Sequence, residues 1–442
     1  MFSFVRSPKA RARRAGSHLA LALALVSAGG IGAVALEAPA HAQKKNEEEA
    51  PKANYSKGFV EVYQPLAARI QAKEDPAALK AALPAMTAAA ETDDDKFVAG
   101  QATYSVGLAA KDLPLQRQGI EMMLDSGKVP AEQQGLNLFA AGQLAFQAED
   151  WAAARSRFEQ AIAAGYDDPN AQGLLAESYF SEENYAAGLA SLKQAIDAQA
   201  AAGAPIDESW IQRGFAVSYN NQLADQAAEF AELYVTHYPS SDIWGDAIAV
   251  QRSFYDYDDN AILDILRLAD RTDSLRTERD YIDYISAADA RRLPGEVGRI
   301  VNKGLAANLL KADDVLVAEA KTTSEAQSGP AREDLPELER DARASASGAL
   351  AASAAGDMYL NFGNAAKAAE MYELALTKSD VDTARVLTRL GIAQVDLGQF
   401  AEAKATFGRI QGPRAPIANL WSIYADAQAS GGTTAAADTP AQ

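Results

Sequence analysis

Few residues of this sequence have the types and spacing that catalysis or metal binding requires. The chain of 442 residues contains no Cys, which excludes thiol nucleophiles, thiolate metal ligands and disulfides. The patterns typical of phosphate-binding loops, dinucleotide-binding loops, serine hydrolases and zinc proteases are missing from it. The sequence therefore predicts no catalytic residues, no metal site and no cofactor.

His237 is the one histidine outside the first 42 residues, so any catalytic triad would have to include it. It stands two residues before Pro239, at the end of a predicted helix. A cation at this place stabilises the partial negative charge of a helix C-terminus. We therefore interpret His237 as a helix-terminal residue and not as a general base.

The acidic segment at 256–260 has carboxylates close together, as calcium loops have. A calcium loop also needs a Gly for its sharp turn and a bidentate Glu that closes it. This sequence has Ala261 and Arg267 at those two positions. We therefore expect the segment to cap a helix that starts at Ala261.

Glu177 and Ser178 are the strongest candidates for acid–base chemistry. The pair resembles the Glu-Ser motif of secreted transglycosylases, which cleave peptidoglycan and can contain an α-superhelix. Here, however, Glu177 lies within a repeated helix, and the Gly-Leu-Met-Gln segment of those enzymes is missing. A general acid also needs a buried site that raises its pKa. An enzyme that acts on cell-wall glycan, or its accessory subunit, stays as an alternative function.

The elements that position these residues are helices that repeat along the chain. Residues 139–162 and 173–196 follow the same plan 34 residues apart, so that Phe146 corresponds to Phe180. Each copy predicts two helices joined by a short turn, with large and small apolar residues at helical spacing. Because one helix pair cannot bury its apolar stripe alone, such pairs stack on one another.

Three further units follow the same plan. A looser one begins at Trp210, and two more lie at 356–376 and 391–410. In the last two units, Gly363 and Gly398 supply the turn between the helices. The chain therefore carries helix pairs both in its middle and near its C-terminus.

These units resemble tetratricopeptide repeats (TPR) in their spacing and in the residues at fixed positions. The sequence departs from that pattern at Arg213, where Leu is usual, and at Gln226, where a small residue is usual. Good matches cover 135–240 and 349–411. The resemblance implies an all-α fold, a right-handed α-solenoid of stacked antiparallel helix pairs with diverged pairs in the middle, in a secreted bacterial protein. The matching residues are Trp210-x2-Arg213-Gly214, Gly356-x2-Tyr359 with Ala368-x3-Tyr372, and Gly391 with Ala403-x3-Phe407.

Composition and period divide the chain into eight segments. In order, we expect a signal peptide at 1–42, a disordered lead at 43–57, diverged helical pairs at 58–130, a TPR-like array at 131–240, diverged pairs at 241–320, a polar linker or long loop at 321–345, a C-terminal TPR-like pair with a capping helix at 346–427, and a disordered tail at 428–442.

The first 42 residues have the pattern of a secretory signal peptide. Basic residues at 6–14 precede an apolar run at 19–36, and Ala40-His41-Ala42 is a small-x-small cleavage site. We therefore expect a periplasmic or secreted protein, cleaved after Ala42. The alternative is an uncleaved anchor, because the apolar run is 18 residues long.

The charge of the chain limits the class of partner. The formal net charge is −19, and it becomes −23 when the five basic residues and Glu37 of the signal peptide are removed. Such an acid excess argues against nucleic acid and anionic membrane surfaces as partners, and it suits partners with basic segments. No later segment is apolar enough to span a membrane.

The resemblance implies that the first helix of each pair lines a concave groove, which holds an extended peptide or a partner helix. The side chains expected there suit a peptide with apolar anchors and a basic group. For the apolar ones, the alternative is a place in the packing between repeats. The expected groove residues are Phe139, Gln143, Phe146, Glu177, Phe180, Ile211, Phe215 and Tyr219.

The sequence therefore predicts a non-enzymatic periplasmic scaffold that binds a protein or peptide partner, in cell-envelope assembly or maintenance. Besides the glycan-acting enzyme, a second alternative is a structural array that associates with itself through its aromatic end near Trp421. The identity of the partner and the oligomeric state stay open.

Overall fold

The computed structural model describes residues 53–344 and 348–431. The expected signal peptide, the lead up to residue 52, position 345 of the linker and the tail from residue 432 lie outside the described residues. The described residues form helices and turns without a β-strand, and none of these helices is long and apolar enough to cross a membrane. The predicted fold class, an all-α solenoid of stacked helix pairs, is confirmed.

Two helix pairs precede the repeats. Asp75 accepts a hydrogen bond from the amide of Ala77, and Pro76 occupies the first helical position that follows. These local signals begin the second helix at Pro76. The four helices are α1 (Lys57–Gln71), α2 (Pro76–Ala88), α3 (Asp93–Ala110) and α4 (Leu113–Asp125).

The last residues of the predicted disordered lead are fixed to α3, which corrects that prediction for 54–57. The amide of Asn54 donates to Asp94 at 2.8 Å, and the amide of Ser56 donates to Asp95 at 3.2 Å. Asp95 also forms a capping box with Thr92. Because these carboxylates gather at a helix N-terminus, they accept hydrogen bonds from the chain that enters α1.

Three helix pairs lie in 131–240, the range for which the sequence predicts a TPR-like array. In their turns, Glu149 and Glu183 both have a φ of 59°, and the residues that follow, Asp150 and Asn184, cap the second helices. The sequence repeat is thus a repeat of turn geometry. The pairs are α5 (Ala131–Gln147) with α6 (Trp151–Ala163), α7 (Pro169–Phe180) with α8 (Tyr185–Ala201), and α9 (Glu208–Asn220) with α10 (Ala224–His237).

The next two pairs are the diverged helices expected after residue 240. Asp258 accepts a hydrogen bond from the amide of Ala261 at 2.7 Å, so the acidic segment caps a helix as predicted, although the helix begins at Asp259 and not at Ala261. In the described part of the chain, no group of three or more acidic or histidine side chains could hold a metal ion. The helices are α11 (Ser241–Phe254), α12 (Asp259–Arg271), α13 (Glu278–Ala288) and α14 (Pro294–Ala306).

The predicted polar linker at 321–345 is wrong, because most of its described residues lie in two helices, α15 (Val315–Glu333) and α16 (Leu335–Arg343). The hydroxyls of Thr322 and Ser328 donate to carbonyls four residues back, so these polar side chains are satisfied within α15. Glu339 ties α16 to the rest of the fold by accepting hydrogen bonds from Tyr359 at 2.6 Å and Lys367 at 2.8 Å.

The C-terminal pairs follow the predicted plan. Gly363 and Gly398 have φ values of 76° and 72°, a conformation that Gly adopts without the steric cost of a Cβ. A short turn at Gly412–Arg414 precedes the last helix, which continues to Ala429 and so includes two residues of the predicted disordered tail. The helices are α17 (Ala349–Asn361), α18 (Ala365–Leu376), α19 (Thr383–Asp396), α20 (Phe400–Phe407) and α21 (Ala415–Ala429).

A glycine on the first helix of a pair receives an aromatic ring from the second helix. The two residues of each such pair lie 16 positions apart. Because Gly lacks a Cβ, the ring can lie directly on the backbone of the facing helix. The pairs are Gly142 with Phe158, Gly214 with Phe230, Gly356 with Tyr372, and Gly391 with Phe407.

The last helices pack against the middle of the array. Trp421 of α21 is fully buried, its indole nitrogen donates to the backbone oxygen of Asp264 at 3.0 Å, and its ring stacks on Phe407. The alternative of self-association through an aromatic end near Trp421 is not supported, because this side chain is covered by its own chain. Helix α21 contacts α10 and α12, and α19 contacts α12, so the C-terminal pairs close onto the central ones.

Candidate functional site

Four of the eight predicted groove residues are buried. Phe139 is 2% exposed, Ile211 is 0% exposed, and Phe180 and Phe215 are each 8% exposed. Phe139 stacks on Tyr166 with ring centroids 4.8 Å apart. The prediction that these four side chains face a partner is wrong, because the second helix of each pair and the neighbouring pair cover them.

The other four predicted residues, Gln143, Phe146, Glu177 and Tyr219, keep part of their surface. Phe146 lies edge-on to Trp151, with centroids 4.9 Å apart, and Tyr219 meets Phe254 in the same way at 5.6 Å. Each of these two rings therefore packs against a neighbouring aromatic side chain and is also partly exposed to solvent. Their role in binding a partner stays a prediction.

Glu177 is engaged in an ion pair across two repeats. Arg213, one repeat later, donates two hydrogen bonds to its carboxylate, with a length of 2.8 Å for the bond from Nη2. The same guanidinium lies over the ring of Phe180, 5.3 Å from its centroid. The carboxylate therefore faces a cation and not the second acid that glycan cleavage requires.

His237 lies in the last turn of α10, where the sequence placed it. Partial burial lowers the pKa of its imidazole below the ordinary value of 6.5. Desolvation thus disfavours the charged form that we expected at this helix end.

A groove that the sequence did not predict lies on the second helices of the array. Helices α8, α10 and α21 line two cavities of about 390 and 380 Å³, which adjoin each other because both contact Gln226 and Glu229 of α10. We call this surface the α10 groove. Its first half is lined also by Asp225, Glu232, Tyr255, Pro416 and Asn419, and its second half by Ala190, Lys193, Gln194 and Asp197.

The α10 groove is acidic. Four carboxylates line it, those of Asp197, Asp225, Glu229 and Glu232, against the single ammonium group of Lys193. That ammonium is already paired with Asp197 at 2.6 Å and lies 3.7 Å from Glu229. The groove thus presents negative charge that its own lining does not neutralise.

Glu232 is the most buried carboxylate of this lining. Burial raises the pKa of its side chain, and the nearby charge of Glu229 adds to the effect, while a hydrogen bond from Asn419 of α21 opposes it. The amide of Asn419 donates to Glu232 at 3.3 Å. A cation placed here would lower the pKa of Glu232 and would form an ion pair with its ionised carboxylate.

Part of the α10 groove could have been found from sequence. Asp225, Glu229 and Glu232 recur at helical spacing, which places them on one face of α10. The wall formed by α21 could not have been found from sequence. Asn419 lies 187 residues after Glu232 and contacts it only because the last helices pack against the middle of the array. No local pattern marks a contact of that kind.

Comparison with known proteins finds similarity only to solved structures, and that similarity is weak. No protein-family model and no characterised protein matches the sequence. Among solved structures, the chain is similar to a complex of the TPR2AB domain of yeast Sti1 with pHSP90, with 14% identity over 68% of this chain and 94% of that chain and a TM-score of 0.24.

A second similar structure is that of Naa15/Naa10 bound to HypK-THB. The identity is 13%, the match covers 82% of this chain and 65% of that chain, and the TM-score is 0.26. At these TM-scores the similarity supports no conclusion about the fold or the function of this chain. The TPR-like architecture is therefore taken from the helix pairs themselves, and the function is argued from the α10 groove.

Proposed function

We propose that this protein is a scaffold that binds a protein or peptide partner, and that the partner inserts a basic, partly apolar segment into the α10 groove. The observation that carries the proposal is the pair of adjoining cavities, whose lining holds four carboxylates and one ammonium. Lys or Arg side chains complement such a surface, which guides their approach and orients them.

The shape of the α10 groove suits a chain segment. The two cavities lie side by side across α10, because both contact Gln226 and Glu229; one extends to α8 and the other to α21. The lining also includes apolar residues, such as Ala190 of α8 and Pro416 of α21. A segment with alternating basic and apolar residues would place its cations on the carboxylates and its apolar side chains on these surfaces.

The partly exposed residues of the first helices offer a second surface for the same partner. Gln143, Phe146, Glu177 and Tyr219 are the predicted groove residues that remain accessible there. The ion pair of Glu177 with Arg213 neutralises the charge on that face, so we assign the basic segment to the α10 groove. No observation at Glu177 favours the glycan-acting enzyme.

The proposed compartment rests on the sequence alone. We propose that the chain is exported, that it is cleaved after Ala42, and that its role concerns the assembly or maintenance of the cell envelope. N-terminal sequencing of the protein from a periplasmic extract should start at Gln43. Recovery of the uncleaved chain with the membrane fraction would support the anchor alternative.

A peptide titration tests the binding function. The probes are fluorescent ten-residue peptides with alternating Lys and Leu, and the same peptides with Glu in place of Lys. We expect the Lys peptide to bind, the Glu peptide not to bind, and the affinity to fall as salt rises. Equal binding of both peptides would contradict the proposal.

Two matched variants distinguish an effect of the groove carboxylates on binding from an effect of the net charge of the protein. The variant Asp225→Asn/Glu229→Gln should bind the Lys peptide about tenfold more weakly, which corresponds to a loss of roughly 1.4 kcal/mol in binding free energy. Glu159→Gln/Asp167→Asn changes the net charge by the same amount at exposed sites on and after α6, outside the α10 groove. This control should bind as the wild type does.

A further inference from the structure

A cluster of buried charges joins the middle of the chain to its last helices. Asp264 of α12 has no exposed surface, and its carboxylate accepts hydrogen bonds from three guanidinium groups. The distances are 2.7 Å to Arg414, 3.1 Å to Arg267 and 3.2 Å to Arg389. These arginines belong to the turn before α21, to α12 itself and to α19, so one carboxylate ties three segments together.

The charges of this cluster balance, but its ion pairs are not equivalent. Arg267 also makes two hydrogen bonds to Glu296, at 2.8 and 2.7 Å, and Arg389 also pairs with Asp357. Arg414 has a second carboxylate only at 3.6 Å, that of Asp258, which is 67% exposed. Asp264 is therefore the main partner of Arg414 and a shared partner of the other two.

Two further contacts hold α21 and α19 on α12. The indole of Trp421 donates to the backbone oxygen of Asp264, and Arg271 pairs with Asp396 of α19 at 2.6 Å. The guanidinium of Arg271 also lies over the ring of Trp421, 5.3 Å from its centroid. We call these contacts, together with those of Asp264, the α12 seam.

The α12 seam lies directly behind one wall of the α10 groove. Pro416 and Asn419, which form that wall, follow Arg414 by two and five residues. Within the groove, the wall is connected to α10 by the hydrogen bond from Asn419 to Glu232, which at 3.3 Å is long. The buried ion pair of Arg414 with Asp264 therefore fixes the wall more firmly than the groove contact does.

We infer that Asp264 is a positioning residue for the α10 groove, and that closure of the α12 seam is coupled to binding in that groove. This inference rests on the proposed function. When the seam is closed, α21 supplies its half of the first cavity; when the tie to Arg414 is lost, α21 separates from α10 and that half is lost. By linkage, a ligand that contacts both walls stabilises the closed seam by the same factor.

The absence of Cys from the chain allows the closure to be measured directly. Spin labels at Thr236→Cys near the end of α10 and Ser430→Cys after α21, both exposed, report the distance between the C-terminal ends of these two helices in the full chain. We expect a narrow distance distribution in the otherwise unchanged protein. The Lys peptide should narrow it further.

Arg414→Met tests the coupling without leaving an unpaired buried carboxylate, because Asp264 keeps Arg267 and Arg389. We expect this variant to fold, to show a longer and broader distance, and to bind the Lys peptide roughly tenfold more weakly. Asp264→Asn should act in the same direction but risks unfolding, since it leaves Arg414 without its main partner. The matched control is Asp270→Asn. Asp270 lies on α12, as Asp264 does, but its ion pair is with Lys303 of α14.

The possible results separate the two proposals. A folded Arg414→Met variant with an unchanged distance and an unchanged affinity would overturn the coupling while leaving the binding function intact. If the wild type binds no Lys peptide, the proposed function fails, and the inference fails with it. Weaker binding by Asp270→Asn equal to that of Arg414→Met would also overturn the inference, because the effect would not be specific to the seam.

Discussion

The ring of Phe158 lies on the backbone of Gly142, so that a Cβ at Gly142 would come within 2.6 Å of the ring carbons. Gly142→Ala should therefore destabilise the fold by about 1 to 3 kcal/mol, because the ring has to shift within a closely packed core. Urea unfolding measures this change. Gly173→Ala on α7, where a Cβ would meet nothing within 4 Å, should be neutral or should stabilise by about 1 kcal/mol.

The neighbouring repeat indicates how the Gly142 substitution can be rescued. At the corresponding positions, 34 residues later, it carries Ala176 and Leu192, and both are buried. In a double-mutant cycle, Gly142→Ala/Phe158→Leu should be less destabilising than the sum of the two single changes. Strict additivity would mean that the Gly–aromatic contact does not set the spacing between these helices.

The buried ion pairs predict a loss of stability in acid. Arg267 overcomes the effect of burial and lowers the pKa of Glu296 to about 2, and the three guanidinium groups around Asp264 also hold the pKa of that buried carboxyl below its ordinary value. In the unfolded chain these groups titrate near pH 4. Their stabilisation is therefore present above about pH 4 and is lost as the pH falls towards 2.

Unfolding by urea at pH 7, 4 and 2.5 should show this loss. Glu296 alone should account for about 2 kcal/mol of this loss by pH 2.5, and for about 3 kcal/mol once the pH is below its folded-state pKa of about 2, at about 1.4 kcal/mol per pKa unit. Glu319→Gln, which removes an exposed ion pair with Arg291, should leave the pH dependence unchanged. A free energy of unfolding that is constant between pH 4 and 2.5 would contradict the assignment.

Glu232 should make peptide binding depend on pH. Because burial raises the pKa of its carboxyl, Glu232 takes up a proton before the exposed acids do as the pH falls. Protonation removes one of the negative charges that the basic segment contacts, so the affinity for the Lys peptide should fall in the same pH range. Glu232→Gln should bind more weakly at pH 7 and should lose this part of the pH dependence; a variant with the wild-type pH profile would exclude the role of Glu232.

Glu177→Gln should have little effect on stability. The ion pair of Glu177 with Arg213 is 33% and 48% exposed at its two side chains, and such surface pairs contribute about 0 to 1 kcal/mol. Thermal unfolding of the variant checks this value. The same variant tests the glycan-acting alternative, since peptidoglycan cleavage by the wild type that disappears in Glu177→Gln would require an enzymatic function.

The features that could be predicted from sequence are the local ones. The turns at Glu149 and Glu183, the caps at Asp75 and Asp258, and the spacing of the helix pairs each depend on a few neighbouring residues. The helices at 315–343 were missed in part because Ser and Thr suggest a loop, although inside a helix their hydroxyls bond to the carbonyl four residues back.

The candidate site could be predicted only in part. Aromatic residues at the same repeat position, such as Phe146 and Phe180, differ in exposure, because burial depends on how closely the next helix approaches. The α10 groove depends on contacts between residues far apart in the sequence, such as Asn419 with Glu232 and Arg414 with Asp264. Those contacts exist only once the array has closed.

Photo-crosslinking locates the bound peptide and tests the central claim most directly. A Lys peptide that carries a benzophenone group is bound to the full chain, irradiated, and mapped by mass spectrometry. The proposed function predicts crosslinks within 186–197 of α8, 225–232 of α10 and 416–419 of α21, and predicts their loss in Asp225→Asn/Glu229→Gln. Crosslinks concentrated on the first helices, around Gln143 and Tyr219, or crosslinks that persist in that variant, would contradict it.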